Sequence, residues 1–239
     1  MFNKIIKRII FIINRLYHEQ FVFKLHNQEK IFSKIYINNY WSSSISKSGP
    51  GSDDNNTKRV RKNLPKIIKK YKIRSVFDAP CGDFYWFNKI ILNMKIRYIG
   101  ADIVKELIKN NQKKYGNRKI RFIKMNLVNS NYPKTDLWVC RALFFHLDYN
   151  SILKILSNLS NSKIKYVLLT NSNTKEKFKN KDIKTGNYRQ LDLFKKPFNF
   201  KKNYILKFDD TFFPNSNQLD QEMILWKKKD LIQNLKFFK

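Results

Sequence analysis

At 239 residues, with 42% hydrophobic and 15% aromatic side chains, the chain carries enough apolar mass for one sizeable core, which excludes wholesale disorder. Its 49 Lys and Arg against 18 Asp and Glu leave a formal charge of +31; the excess is mostly lysine spread along the whole length, with no zinc finger or RNP-type aromatic pair, so a solvated basic surface is favoured over a nucleic-acid interface. Two cysteines, Cys81 and Cys140, and three histidines point away from a disulfide framework and a structural metal site, and towards a reducing compartment.

Met1–Tyr17 places Ile5, Ile6, Ile9, Ile10, Ile12, Ile13 and Leu16 on one helical face and Lys4, Lys7, Arg8, Asn14 and Arg15 on the other, with Phe11 out of pattern. Its apolar run is too short to span a bilayer, and no small-residue cleavage site follows. Two readings stand: a basic amphipathic helix lying on an anionic membrane surface, or a helix packed on its own domain or a partner chain. Residues 18–40, with Phe21, Phe23, Leu25, Ile31, Ile35 and Ile37, read as further helix ending near Tyr40. Trp41–Ser52 is a Ser/Gly/Pro loop, either a linker or an ordered lid whose hydroxyls and amides face a ligand. Thr57 is the expected N-cap of a helix carrying Val60, Leu64, Ile67, Ile68 and Tyr71.

From there strands are expected near 74–79, 96–101, 119–124, 135–140 and 164–170, alternating with helices near 84–93, 103–115 and 148–160. That rhythm means βαβ units, a parallel sheet and right-handed crossovers with helices on both faces. Residues 171–200 lack a helical stripe, and two strands near 204–209 and 221–227, joined by a loop with Pro214, read as an antiparallel hairpin closing the sheet edge.

The stretch Arg74–Trp86 is a strand, a tight turn at Pro80 and Gly82, and an aromatic helix start. Such a junction presents backbone N–H groups to a ligand at the carboxyl edge of a sheet. Gly82 lets a backbone approach closely, and Asp102, at the end of the second strand, has the place and spacing to accept both ribose hydroxyls of a nucleoside. Asn126, after the third strand, can reach an adenine edge. One glycine where G-x-G-x-x-G has three argues against a pyrophosphate and a nicotinamide cofactor.

Asp78-Ala-Pro-Cys-Gly-Asp83, with Asp102 downstream, resembles the first two motifs of class I S-adenosylmethionine-dependent methyltransferases. More narrowly, Ser48–Ser52, Pro80–Trp86 and Thr185-Gly-Asn-Tyr-Arg189 resemble the SGxGS, PCGDFxW and TGx[WY]R motifs of an uncharacterised bacterial and viral small-molecule branch, over roughly Trp41 to Lys228. The resemblance implies an α/β, Rossmann-like, seven-stranded, mostly parallel sheet with an antiparallel C-terminal hairpin. It implies S-adenosyl-L-methionine as cofactor, contacted by Asp78, Ala79, Pro80, Cys81, Gly82, Asp83, Trp86, Asp102, Ile103, Asn126 and Leu127, with Ser48, Gly49, Tyr188 and Arg189 toward the acceptor. Three positions depart from it: Phe84 replaces the usual second glycine and is read as a wall of the methionine pocket, Asn126 replaces an acid, and Arg141-Ala142 stands where Arg-Asp is common.

With that carboxylate missing, His146 is the candidate base for an acceptor hydroxyl, and Arg141 and Arg189 are candidates for holding an anionic acceptor. The expected division is a helical extension and lid over 1–56 and a methyltransferase domain over 57–239. The expected activity is methyl transfer to a small-molecule or glycan-type acceptor in the cytoplasm, O-methylation slightly favoured, with peripheral contact at the inner membrane face through residues 1–17. A nucleic-acid methyltransferase and a membrane-surface scaffold are the alternatives; against the first, the chain lacks an N-P-P-Y type motif.

Overall fold

Strands that are apolar on both sides have to be covered on both sides, and the central strands here are of that kind. The computed structural model describes residues 2–92, 94–211 and 220–233. Among them β1 (Ser75–Asp78), β2 (Arg97–Asp102), β3 (Ile120–Lys124), β4 (Leu137–Cys140), β5 (Tyr166–Ser172), β6 (Leu206–Asp209) and β7 (Gln221–Lys227) form one sheet in the order β3-β2-β1-β4-β5-β7-β6. The pairs β1–β2, β1–β4, β2–β3 and β4–β5 are parallel, whereas β7 runs antiparallel to both β5 and β6. The expected strands lie within about two residues of these at each end. The Pro214 loop lies outside the described residues.

Alternation along each strand splits the core into two layers. Val76, Val139, Leu168 and Met223 face one side, where α3 (Asp54–Lys70) and α5 (Lys105–Tyr115) supply Val60, Leu64, Leu107 and Ile108. Phe77, Trp138, Val167 and Trp226 face the other, covered by α6 (Tyr149–Asn161). In α6, Ile152, Ile155, Leu156 and Leu159 recur at helical spacing and are all buried, each burial contributing roughly 1.5–3 kcal/mol. Asp148 caps that helix, accepting the Ser151 N–H at 2.8 Å.

Three expectations change. Residues 18–40 are not one helix: α1 (Phe2–Tyr17) runs into a π turn at His18–Val22, and α2 (Gln28–Ile37) starts afresh with the Asn27 side chain accepting the Lys30 N–H at 3.0 Å. That cap makes the break, because a short polar side chain competes for the N–H groups a continuing helix would bond. The cap of α3 is Asp53, whose carboxylate takes the Asn56 N–H at 2.9 Å; Thr57 sits one turn inside and donates its hydroxyl to the Asp53 carbonyl at 2.6 Å. Of the helix expected over 84–93, only α4 (Asn88–Ile91) is helical among the described residues, and Asn93 lies outside them.

Phe84 explains that shortening. Its backbone is left-handed, φ +61°, a conformation that side chains other than glycine rarely adopt. The ring is fully buried within 4.8–5.1 Å of the rings of Tyr98, Tyr115 and Phe122. Phe84 therefore belongs to the core beneath the loop and does not wall the cavity. Val22, Phe23, Ile31 and Ile35 form a third, small cluster of the N-terminal segments, joined by partly buried Phe32, Tyr40 and Trp41.

Candidate functional site

Parallel strands end together, so the loops after β1, β2 and β4 converge on one edge of the sheet. The loop after β1 is stitched to its neighbours by main-chain bonds, Ala79 N–H to the Val139 carbonyl at 3.0 Å and Cys81 N–H to the Ala101 carbonyl at 2.9 Å. Gly82 then turns left-handed, φ +52°. A Cβ there would stand 2.3 Å from Ser48 Oγ and 2.9 Å from Ser48 Cβ, so the turn strongly favours glycine. Its N–H donates to Asp102 Oδ2 at 3.2 Å, and Val104 N–H donates to Asp102 Oδ1 at 3.1 Å. Both carboxylate oxygens keep lone pairs for further donors. Burial raises the Asp102 carboxyl to about 6, against the pull of those N–H groups.

The cavity over this edge has a volume of ≈ 420 Å³. Pro80, Cys81, Gly82, Trp86, Asp102, Ile103, Asn126 and Leu127 line it on one side, and Ser48, Gly49, Arg141, His146 and Tyr188 are also in its walls. Asn126 holds its own turn, its side-chain oxygen accepting the Val128 N–H at 2.9 Å. Four residues of the expected site lie elsewhere. Asp78 is buried under the loop, receives the Tyr98 hydroxyl at 2.6 Å, and is raised to about 8 by burial, with the charge of Asp102 adding to the shift. Ala79 is buried, and its carbonyl accepts the Trp138 indole N–H at 3.0 Å.

Asp83 faces the lid instead of the cavity. Its carboxylate accepts the Ser46 hydroxyl at 2.9 Å and the Lys47 N–H at 3.1 Å, while its own N–H donates to Ser48 Oγ at 2.8 Å. The Ser-rich loop is thus ordered and clasped to the β1 loop, its Ser46 and Ser48 hydroxyls turned to Asp83. Arg189 is buried and holds the Phe144 and Leu147 carbonyls at 3.2 and 2.8 Å, bracing the turn that carries His146.

Arg141 lines the cavity, yet its guanidinium is committed inward: Nε to Asp210 Oδ2 at 2.7 Å, one terminal nitrogen to the Gly51 carbonyl at 2.7 Å, the other to the Asn56 carbonyl at 3.0 Å. These contacts tie the lid and the start of α3 to β4. The contacts shown by both arginines therefore serve the scaffold, with Arg141 remaining in the cavity wall and Arg189 outside it. His146 is half-buried between the rings of Trp41 and Tyr188, at 5.3 and 5.7 Å. Its Nδ1 lies 3.0 Å from the Asn187 carbonyl; a carbonyl only accepts, so Nδ1 carries the proton and Nε2 is left as an acceptor. Burial pulls the imidazole down to about 4, so it is neutral at pH 7.

The walls also include residues the sequence reading missed: Gln28, Phe32 and Tyr36 of α2, Tyr40 beyond it, and Gln221 of β7. A signal existed, since Phe32, Tyr36 and Tyr40 recur every fourth residue and form an aromatic stripe beside the apolar one at Ile31 and Ile35.

No family model matches the chain, and no curated protein matches it in sequence. In structure it is similar to the N-methyltransferase NodS from Bradyrhizobium japonicum in complex with S-adenosyl-L-homocysteine, at TM-score 0.60 and 9% identity over 82% of this chain and 97% of that one. It is similar to magnesium protoporphyrin IX methyltransferase (ChlM) from Synechocystis PCC 6803 with bound S-adenosylmethionine, at 0.54 and 11% over 85% and 99%. The methyltransferase domain of bacterial CtHen1 matches at 0.55 and 14% over 72% and 100%. These likenesses establish the fold, a Rossmann-like seven-stranded sheet with one inserted antiparallel strand.

Proposed function

We propose that this chain is an S-adenosylmethionine-dependent methyltransferase acting on a small-molecule or glycan-type hydroxyl. The observation that carries the reading is Asp102, a carboxylate at the end of β2 that lines the cavity, is oriented by two N–H groups, and lies across from a left-handed glycine turn. Two structural neighbours hold S-adenosylmethionine or its product, which supports the same reading.

The residues present fit such a ligand. Asp102 would accept its ribose hydroxyls, Asn126 and Leu127 would border its adenine, and the backbone at Pro80–Gly82 would run beside its amino-acid portion. When bound, the cofactor supplies a methyl group on a sulfonium. The aromatic walls at Phe32, Tyr36, Trp41 and Tyr188 suit an uncharged ring or sugar, stacked and desolvated. His146 Nε2 would take the acceptor hydroxyl's proton as its oxygen bonds the methyl carbon, the carbon–sulfur bond breaking with its electron pair left on sulfur. A base held near 4 is too weak to ionise a hydroxyl beforehand, but suffices once that oxygen has begun to bond carbon and become acidic. A cytoplasmic setting belongs to the reading and is supported by two free, buried cysteines.

Calorimetric titration with S-adenosylmethionine tests the cofactor. Ribose hydroxyls favour the ionised Asp102, so affinity should rise with pH through about 6 and fall about tenfold per unit below it. Absence of binding at neutral pH would remove the function. For the base, acceptor pools screened with methyl-labelled cofactor should show at least about tenfold less transfer by His146→Gln, with cofactor affinity unchanged; equal transfer would return His146 to a wall residue.

A further inference from the structure

Helix α1 is mounted with its apolar side outward. Ile9, Ile10, Ile13 and Leu16 are 50%, 60%, 61% and 57% exposed, and Ile6, Ile12 and Phe21 are exposed as well. Among the described residues, the contacts that fix the C-terminal end of α1 to the rest of the chain come from another side of the helix. His18, fully buried just beyond the helix, stacks 4.4 Å from the Tyr40 ring and bonds the Asn14 carbonyl at 2.8 Å; the Asn14 side chain reaches the Asn38 carbonyl at 3.4 Å. An ordinary amphipathic helix buries its apolar stripe, and this one presents it to solvent. Packing on its own domain, one of the two readings of Met1–Tyr17, is thereby excluded for the described face.

The net charge of the helix and of the chain selects the occupant of the stripe. The helix sequence carries four basic residues and no acidic one; Arg15 pairs with Glu19 just beyond it at 2.9 Å, and the whole chain stands at +31. Two copies meeting through this face would bring two strongly positive chains together, whereas an anionic bilayer offers both a hydrocarbon boundary for the isoleucines and opposite charge for the basic chain. We propose that α1 docks the protein on an anionic lipid surface, lying in the interface with Ile9, Ile10, Ile13 and Leu16 inserted. Among the described residues no helix is long and apolar enough to cross a membrane, so this contact is peripheral. The inference goes beyond the methyl-transfer reading and stands independently of it.

The test is sedimentation of the full chain with phosphatidylcholine vesicles containing or lacking phosphatidylglycerol, at low and high salt, beside an Ile10→Asp/Ile13→Asp double variant. Both substituted positions are exposed, so the variant should keep its far-UV spectrum and its S-adenosylmethionine affinity. Wild type should pellet with the anionic vesicles and not with the neutral ones, and the variant should partition at least about tenfold less. Equal pelleting of wild type and variant would reduce the interaction to adhesion of a basic surface and overturn the proposal. So would pelleting of neither, or a lipid-free dimer seen by light scattering that the variant abolishes, which would give the face to a second copy.

Discussion

Asp102→Ala is expected to weaken S-adenosylmethionine binding by about a hundredfold to ten-thousandfold. Each hydrogen bond between a hydroxyl and a charged carboxylate contributes about 1.5–3 kcal/mol, and the carboxylate would make two of them. The fold should tolerate the change. The variant loses the acceptors of Gly82 and Val104 N–H, at about 1 kcal/mol each. It also loses a burdened carboxyl: the folded value is raised to about 6, so in wild type this group's contribution falls as pH rises from the unfolded value through 6 and is least favourable above it. Near neutral pH the two effects oppose each other, so urea midpoints of wild type and variant should lie close while titration calorimetry separates them. Undiminished binding by the variant would remove the ribose assignment.

Arg141→Ala is expected to cost about 3–5 kcal/mol of folding stability, because removing one member of a buried ion pair strands the other. Asp210 is completely buried, and the Arg141 Nε at 2.7 Å opposes the burial that raises its carboxyl. Without the guanidinium the carboxyl rises further. A group raised in the folded state binds its proton there at higher pH than in the unfolded chain, so the deficit should be largest above neutrality and shrink as the solution is acidified. Urea unfolding at about pH 7 and about pH 5 checks the sign. Replacing both partners, Arg141→Met with Asp210→Leu, should recover much of the loss, since apolar residues of similar volume leave no buried charge behind. An unchanged midpoint for Arg141→Ala at neutral pH would show that the pair does not hold the lid and α3 to β4.

What was legible followed from local periodicity and spacing. The apolar runs of β1, β4 and β5 and the stripe of α6 announce their own burial, and the interval from Gly82 to Asp102 is set by one strand–helix–strand unit, so the pairing can be read along the chain. What was hidden depended on partners far away in sequence. Nothing near Arg141 reveals that Asp210, 69 residues later, and Gly51, 90 residues earlier, will claim its donors. Asp83 reads as a site residue because its neighbours are; only the folded arrangement brings Ser46 to it. Phe84 looked like a ligand wall because a glycine usually stands there. Its ring turns instead toward Tyr98 and Phe122, which no local pattern foretells. The orientation of α1 was likewise undecidable from a helical wheel, which separates the two faces without saying which one meets the body of the protein.

The clasp at Asp83 makes two walls of the cavity into a single mechanical part. Its N–H is held by the lid at Ser48 and its carboxylate holds the lid at Ser46 and Lys47, while the next residue back, Gly82, hangs on Asp102. A ligand that draws Asp102 and the glycine turn together thus pulls on the same joint that sets the position of Ser48 and Gly49. Thermodynamic reciprocity then requires that whatever tightening one occupant confers on the joint be returned to the other by the same factor. Affinity for either guest is in this sense a property of the pair.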